Sequence, residues 1–242
     1  MKPRNTLNYL VGLSDCDQFD RLRLTNLLAI CNNLEFYQLL EEKYYQEAII
    51  SKTLVTVLSY RYIEILRWPK LHEKIIIKTY PYSVTKALGL RHTVIYDEQM
   101  KIMVKLYSEG PLWDLVNKTI RRYNIEEIKL LNSYPKQDIE IQRTSMNELP
   151  SLEVVGQIVI TNDYLDRYNH VSNVKYVAIF EKYLTKYYNI IEIIYKSQAV
   201  LGDELVIWKN LDASHGRCVI KITRNTEIIC LAISKGELIN EY

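Results

Sequence analysis

The 242-residue sequence predicts an α+β fold built from two tandem copies of one unit, each a long antiparallel sheet wrapped around a central helix. Three observations lead to this prediction. An internal repeat relates Asp17 to Asp166, 149 residues further along the chain. β-branched and aromatic residues dominate the stretches that follow each helix, which is typical of strands. The first helix is apolar on nearly every side, which is typical of a buried helix.

The repeat is carried by the order of elements more than by residue identity. Residues 14–31 and 163–180 each contain an Asp, a short polar and aromatic turn, and then an apolar helix. Residues 71–75 align with 201–205, and residues 101–108 with 227–234. The recurrence of these segments in the same order indicates a repeated structural unit.

Each half is predicted to start with a strand, continue with one helix and end in several strands. In the first half the strand covers about 6–14, the helix 24–44, and the later strands 52–66, 73–82, 86–97 and 101–114. In the second half the strand covers about 153–162, the helix 173–188, and the later strands 190–200, 203–210, 216–224 and 227–236. Between them, residues 124–150 are more polar, carry Pro135 and Pro150, and include a short helix near 125–131. We therefore expect units at 1–123 and 151–242 joined by a linker at 124–150.

The first helix has one wide apolar stripe, formed by Leu24, Leu27, Leu28, Cys31 and Leu34. Neighbouring apolar residues leave little polar surface, so the helix should be buried. One long buried helix wrapped by an antiparallel sheet is the hotdog arrangement. Two such units in one chain would supply the pairing that single hotdogs usually obtain by dimerising, and the sequence leaves a homodimer open.

Composition excludes several classes of protein. The 7 glycines are so widely spaced that no glycine-rich dinucleotide loop, phosphate loop or nucleophile elbow can be written on the sequence. A net charge of +2 argues against a nucleic-acid partner. The apolar runs are too short for an integral membrane segment or a signal peptide. The four cysteines have no zinc-type spacing, so we expect no metal and buried, reduced thiols in a cytoplasmic protein.

The candidate chemistry lies in the turn before the second helix. His170 stands among Asp166, Asn169 and Asn173, and Ser172 or Asn173 can cap the helix. An exposed helix N-terminus offers unpaired N–H groups and a positive dipole to a developing oxyanion. The alternative interpretation is a structural turn in which Asp166 and Asn169 stabilise the main chain and His170 is merely packed.

Residues 166–176, DRYNHVSNVKY, resemble the D-x-N-x-H-V-N-N-x-x-Y motif of fatty acyl-acyl carrier protein (acyl-ACP) thioesterases, which are double-hotdog enzymes of plants and bacteria. The first half is similar to the same family at residues 18–24, 60–65, 68–70, 95–98 and 108–114. The resemblance extends from about residue 7 to 236.

The sequence departs from the family pattern at two places. The family Asn stands two residues before the His, where this chain has Tyr168, and the Asn is displaced to Asn169. The family also places a carboxylate, sometimes followed by cysteine, on a second-domain strand, where this chain has Gln198 and Ala199. A Gln can orient water but cannot accept a proton, so a general base would have to be Asp166 or His170.

Glu181 is a secondary candidate. It lies on the predicted apolar stripe of the second helix, which also comprises Val174, Val177, Ala178, Leu184 and Tyr188. A carboxylate on a buried stripe would have a raised pKa unless it is paired. The alternative is a Glu at the edge of the stripe, paired with a basic residue.

Other polar residues receive structural interpretations. His72 and His215 fall in predicted turns and His92 in a strand, and none is expected to take part in chemistry. Arg121 and Arg122 are most simply a solvated face, with contact to an acidic carrier protein as the alternative.

The resemblance implies hydrolysis of fatty acyl-ACP to a free fatty acid and the carrier's thiol, without a cofactor. Asp166, Asn169 and Gln198 would position the water, and His170 would polarise the thioester or relay a proton. The first unit has Arg21 at the His position and would supply the acyl-chain pocket. Three alternatives stay open: an acyl-CoA thioesterase, a non-catalytic acyl-binding protein, and, more weakly, a hotdog dehydratase.

Overall fold

The structure is a computed structural model, and it describes residues 5–42, 45–131, 136–184, 186, 188–210 and 216–239. The described residues form two compact units. The first comprises Met1–Ser59 and Ile65–Ile139, and the second comprises Tyr60–Glu64 and Glu140–Tyr242. A short strand from the earlier part of the chain thus belongs to the second unit. The predicted three-part division at 123 and 150 stays a prediction.

The described residues contain four α-helices and thirteen strands. The helices are α1 (Leu24–Leu40), α2 (Gln46–Ile50), α3 (Ile125–Leu131) and α4 (Asn173–Tyr183). The strands are β1 (Thr6–Leu10), β2 (Leu54–Thr56), β3 (Tyr60–Ile65), β4 (Lys74–Val84), β5 (Gly89–Tyr96), β6 (Ile102–Gly110), β7 (Leu112–Asp114), β8 (Thr119–Arg121), β9 (Glu153–Val159), β10 (Tyr188–Tyr195), β11 (Glu204–Lys209), β12 (Arg217–Arg224) and β13 (Glu227–Leu238).

In the first unit, β1, β4, β5 and β6 lie side by side in that order and are antiparallel. A smaller antiparallel sheet has the order β2-β7-β8. The predicted stripe of α1 is buried, with Leu24, Leu27, Leu28 and Cys31 each at most 1% exposed. The expectation of a buried central helix is therefore confirmed.

A layer of polar side chains joins α1 to its sheet. Gln38 of α1 accepts a hydrogen bond from Arg91 of β5 at 2.6 Å, and Glu35 accepts one from Thr93 at 2.9 Å. Arg91 also donates to Thr79 of β4. Buried polar groups are tolerated when they are hydrogen-bonded to one another, so this layer fixes how the helix lies on the strands.

The second unit repeats the first. Its sheet has the order β9-β11-β12-β13, matching β1-β4-β5-β6, and continues with β10 and then β3. Helix α4 lies on this sheet with the Tyr183 hydroxyl directly over Gly156 of β9, where a Cβ would come within 2.1 Å of the oxygen. The Tyr176 ring lies 6.2 Å from that of Tyr195 on β10. Both units are hotdog units, as predicted.

Hydrogen bonds at equivalent positions confirm the repeat residue by residue. Val11 donates to the carbonyl of Glu73 at 2.9 Å, and Ile160, 149 residues later, donates to the carbonyl of Asp203 at 2.9 Å. Short 3₁₀ turns at Leu13–Asp15 and Asn162–Tyr164 follow at the same offset. The chain therefore builds the same entry into its helix twice.

Some element bounds differ from the prediction. Helix α1 ends at Leu40 rather than 44, and the predicted strand 52–66 is divided into β2 and β3. Helix α4 ends at Tyr183, with Leu184 already extended, because the run of β-branched residues from Ile190 belongs to β10, which begins at Tyr188. Helix α2 and strand β8 were not predicted.

Two further findings concern the whole described chain. None of its helices is long and apolar enough to cross a membrane. All four cysteines are free and buried, and they are Cys16, Cys31, Cys218 and Cys230.

Candidate active site

The turn that precedes α4 is closed by Asp166 and His170. The Asp166 N–H donates to the carbonyl of His170 at 2.8 Å, and Asn169 donates back to the carbonyl of Asp166 at 3.1 Å. One carboxylate oxygen of Asp166, Oδ1, accepts the N–H groups of Tyr168 (2.8 Å) and His170 (3.3 Å). Asn169 has φ of +63°, a conformation that Asn adopts more readily than most residues. Asp166 and Asn169 therefore shape the turn.

The first unit contains the same turn with different chemistry. Asp17 Oδ1 accepts the N–H groups of Phe19 (2.8 Å) and Arg21 (3.0 Å), and Asp20 has φ of +60°. The guanidinium of Arg21 then binds the other oxygen, Oδ2, through Nε (3.0 Å) and Nη2 (2.8 Å). Burial alone would raise the pKa of Asp17, but these hydrogen bonds lower it. In this turn both carboxylate oxygens are occupied.

The second unit leaves the corresponding groups open. Within the described part of the chain, Oδ2 of Asp166 has no hydrogen-bond partner, and neither has the imidazole of His170. Asp166 is exposed and His170 is half-buried. In the first unit Arg21 occupies the second oxygen of its carboxylate, whereas in the second unit His170 does not. The second turn therefore presents two groups that can accept a proton, the Asp166 carboxylate and the His170 imidazole.

The N-terminus of α4 follows directly. Ser172 is the N-cap residue, but its side chain does not cap the helix, contrary to the expectation that Ser172 or Asn173 would. The first N–H groups of an α-helix have no acceptor within the helix. Among the described residues, no acceptor is found for the N–H groups of Asn173 and Val174, which follow His170 by three and four residues. They are available to an oxyanion.

Gln198 reaches this turn through its neighbour Ala199. Val171 donates to the carbonyl of Ala199 at 2.9 Å, and the Ala199 N–H donates to the hydroxyl of Tyr176 at 3.2 Å. Gln198 is exposed, and its side chain has no partner in the described residues. The structure therefore ties the segment carrying Gln198 to the turn carrying His170.

The segment that carries Gln198 is also held from its far side. Arg224 donates to the carbonyl of Gln198 at 3.4 Å, to Asp203 at 2.6 Å and to Glu227 at 2.6 Å. Asp203 in turn accepts the N–H of Val200 at 2.9 Å. Two residues missed by the sequence analysis, Tyr176 and Arg224, thus fix this segment. Tyr176 is the final residue of the family-like motif, which was the available signal, whereas nothing in the sequence singled out Arg224.

Glu181 lies in the last turn of α4, nine residues beyond the N-cap residue Ser172. Within α4 the predicted stripe of the second helix is confirmed at Val177 alone, because the buried residues of α4 are Tyr176, Val177, Ile179 and Phe180. Glu181 is half-buried at the edge of this face. Leu184 and Tyr188, which were assigned to the same stripe, lie beyond the end of the helix.

The structure also shows the surroundings of the other histidines and of Arg121. His72 is exposed in a turn with φ of +66°, and His92 is buried in β5. Arg121 binds both oxygens of buried Glu127, at 2.6 and 2.9 Å, so it is not a free surface charge. His215 and Pro135 lie outside the described residues.

A buried carboxylate that the sequence analysis missed lies elsewhere in the second unit. Glu192 of β10 is 0% exposed and binds Lys235 at 2.7 Å, the Tyr60 hydroxyl at 2.7 Å and the Thr144 hydroxyl at 2.5 Å. Burial would raise its pKa, but the hydrogen bonds from these three side chains lower it. Both carboxylate oxygens of Glu192 are hydrogen-bonded, as a buried carboxylate requires. The bond from the Thr144 N–H to Glu192, and the bond from its partner Lys235 to the carbonyl of Gln142, hold residues 142–144 on the sheet.

No group of three or more side chains suited to a metal ion occurs within the residues that the structure describes. The turn and the segment bonded to it present a carboxylate, an imidazole, a carboxamide and main-chain N–H groups.

Comparisons with known proteins agree with this fold. The structure matches an acyl-ACP thioesterase from Bacteroides thetaiotaomicron with a TM-score of 0.84 and 18% sequence identity, covering 96% of this chain and 97% of that one. It matches the 12:0-ACP thioesterase from Umbellularia californica with a TM-score of 0.76 and 12% identity, covering 96% of each chain. Comparison with curated protein sequences finds no match. Residues 4–129 match the acyl-ACP thioesterase N-terminal domain. The chain belongs to the acyl-ACP thioesterase family.

Proposed function

We propose that the chain hydrolyses fatty acyl-ACP thioesters and releases a free fatty acid. One observation carries this proposal: of two equivalent turns, the second presents His170 and an open oxygen of Asp166 at an uncapped helix N-terminus. The family and the fold support a thioester hydrolase. The four free, buried cysteines fit the reducing cytoplasm, where we place the reaction.

The reaction needs a base, an oxyanion site and a proton donor. A water oxygen attacks the thioester carbonyl carbon while His170 or Asp166 accepts the water proton. The N–H groups of Asn173 and Val174 bind the oxyanion as the tetrahedral intermediate forms. The C–S bond then breaks, and the same base returns its proton to the leaving thiolate.

Gln198 and Asn169 have supporting roles in this scheme. Gln198 orients the water through its carboxamide, because it cannot take the proton. Asn169 holds the turn in its left-handed conformation and presents its exposed side chain beside the water. The first unit, whose turn carries Arg21, binds the acyl chain.

The proposal is tested by assaying a panel of acyl-ACPs with the wild type and with His170→Ala. Removing a general base or acid typically costs about 10²–10⁴-fold in rate. The control is His72→Gly, since this exposed histidine occupies the turn position that Gly202 occupies in the second unit. Undiminished turnover by His170→Ala would remove His170 from the site.

A second candidate is favoured by Gln198 and Tyr168, which replace a carboxylate and an Asn of the family motif. These two replacements would suit a protein that binds acyl chains without cleaving them. Bound fatty acid together with no thioester cleavage by the wild type would support it.

Comparing kcat/KM for one acyl chain on ACP and on CoA decides the carrier, and we expect ACP to be preferred.

A further inference from the structure

The hydroxyl of Tyr176 marks a difference between the two units. Tyr176 is 2% exposed, and its oxygen accepts the N–H of Ala199, the residue after Gln198. The carbonyl of Ala199 accepts the N–H of Val171, the residue after His170. Ala199 is thus hydrogen-bonded through both its N–H and its carbonyl to the segment that begins α4.

The first unit keeps one of these bonds and lacks the other. Leu22, the counterpart of Val171 149 residues earlier, donates to the carbonyl of Pro69 at 2.9 Å. Pro69 is therefore the counterpart of Ala199, and it has no N–H to donate. The counterpart of Tyr176 is Leu27, which has no hydroxyl. Donor and acceptor are absent together from the unit that lacks the histidine.

Both units share the bond that the fold requires, and only the second adds the bond from Ala199 to Tyr176. A hydroxyl buried under the sheet is costly unless it is hydrogen-bonded, so its presence calls for a reason beyond packing. Burial raises the pKa of Tyr176, so the group that accepts this bond at ordinary pH is the neutral hydroxyl.

We propose that Tyr176 is a positioning residue: by accepting the Ala199 N–H, it holds the Gln198 carboxamide in register with His170. The inference rests on the hydrolysis proposed above. Its effect on rate comes through Gln198, because the hydroxyl of Tyr176 is engaged with the main chain and lies under the segment.

Two variants break the bond from opposite sides. Tyr176→Phe removes the acceptor and keeps the ring. Ala199→Pro removes the donor and places in the second unit the residue that the first unit already tolerates at the same main-chain position. The control is Tyr183→Phe, which removes a hydroxyl from the same helix at a position facing Gly156 on β9.

The expected result is a loss in kcat with KM within about twofold. We expect Tyr176→Phe and Ala199→Pro each to lower kcat for acyl-ACP about tenfold, since small misplacements of a reacting group are costly. The double variant should be no slower than either single one. Gln198→Ala should also cost about tenfold in the wild type, but under about threefold in Tyr176→Phe. A merely structural Tyr176 would give additive losses, or none, and would overturn the inference.

A measurement independent of activity separates this inference from the proposed function. Amide hydrogen exchange of Ala199, followed by NMR in the intact chain, should accelerate at least about tenfold in Tyr176→Phe and stay unchanged in Tyr183→Phe. If the wild type cleaves no acyl-ACP, the proposed function fails, and the positioning role in hydrolysis fails with it, even where exchange shows that the bond exists. If the wild type cleaves but exchange at Ala199 is unchanged in Tyr176→Phe, only the inference fails.

Discussion

The main-chain N–H of His170 donates to Oδ1 of Asp166, four residues earlier, and Arg21 makes the same bond to Asp17 in the first unit. The two turns share a main-chain design and differ in what their side chains do. In the first, the Arg21 side chain closes an ion pair with Asp17. In the second, one oxygen of the Asp166 carboxylate has no partner within the part of the chain that the structure describes. The comparison separates what the fold requires of these residues from what a reaction could use.

Exchanging each Asp for Asn should therefore have opposite consequences. Asp17→Asn should lower the free energy of unfolding by about 1 kcal/mol, because it weakens a partly exposed ion pair, and should leave thioesterase activity unchanged. Asp166→Asn keeps an oxygen for the turn and should cost under about 0.5 kcal/mol, but it should lower kcat at least about tenfold. Urea unfolding and acyl-ACP assays measure both. Equal activity loss in the two variants would contradict the assignment.

Replacing Glu192 tests the buried cluster of the second unit. Glu192→Gln leaves Lys235 without its counter-charge and should destabilise the chain by about 3 kcal/mol at pH 7. Because the folded-state pKa of Glu192 is lowered, its contribution is present above its unfolded pKa and disappears as pH falls through the folded value. The stability gap between wild type and variant should thus narrow below about pH 4. A gap that is constant with pH would contradict this account.

His92 should make stability depend on pH in mildly acidic solution. Burial lowers the pKa of His92 to about 4, with Lys136 adding to the effect, and its Nδ1 accepts the N–H of Gln137. Between about pH 6.5 and 4 the unfolded chain binds a proton that the folded chain does not, so the wild type should lose roughly 3 kcal/mol over this range. His92→Gln should lack this component. His72→Gly, at an exposed histidine, serves as the control and should retain it.

Two of the seven glycines should respond differently to alanine. A Cβ at Gly110 would lie 1.7 Å from the main-chain carbonyl oxygen of Val57, and the N–H of Val57 is bonded to the carbonyl of Pro111 at 2.9 Å, so only a main-chain shift could relieve the clash. Gly110→Ala should therefore cost at least about 3 kcal/mol. Gly202 has open space but φ of +84°, so Gly202→Ala should cost about 1 kcal/mol through main-chain strain alone. Thermal unfolding ranks the two, and a larger cost at Gly202 would contradict this interpretation.

The sequence predicted best what depends on local pattern. The buried stripe of α1 and the offset between Asp17 and Asp166 were readable, because helical periodicity and the turn residues both survive in the residue order. The end of α4 could not be predicted, because Tyr188 fits a helical stripe and a strand equally well. Only the pairing of β10 with β13 shows that Tyr188 belongs to a strand. Short apolar segments give no periodicity by which to separate them.

For the candidate site, the sequence named Asp166, His170 and Gln198 but left two interpretations of the turn open, one chemical and one structural. It could not show that Asp166 uses one oxygen to close its own turn and keeps the other without a partner among the described residues. The bonds from Ala199 to Val171 and Tyr176 join segments more than 20 residues apart. The position of Tyr60 beside Glu192 depends on a strand contributed from 132 residues earlier. Long-range contacts of this kind leave no trace in local spacing.

The most direct test of the central claim is His170→Arg, which gives the second turn the residue of the first. The introduced guanidinium can close an ion pair with Asp166 as Arg21 does with Asp17, so the variant should fold with wild-type stability or slightly above. We predict that its kcat/KM for acyl-ACP falls at least about 100-fold, because the base and the open carboxylate oxygen are lost together. A folded His170→Arg protein that cleaves acyl-ACP at the wild-type rate would contradict the claim that this turn is the active site.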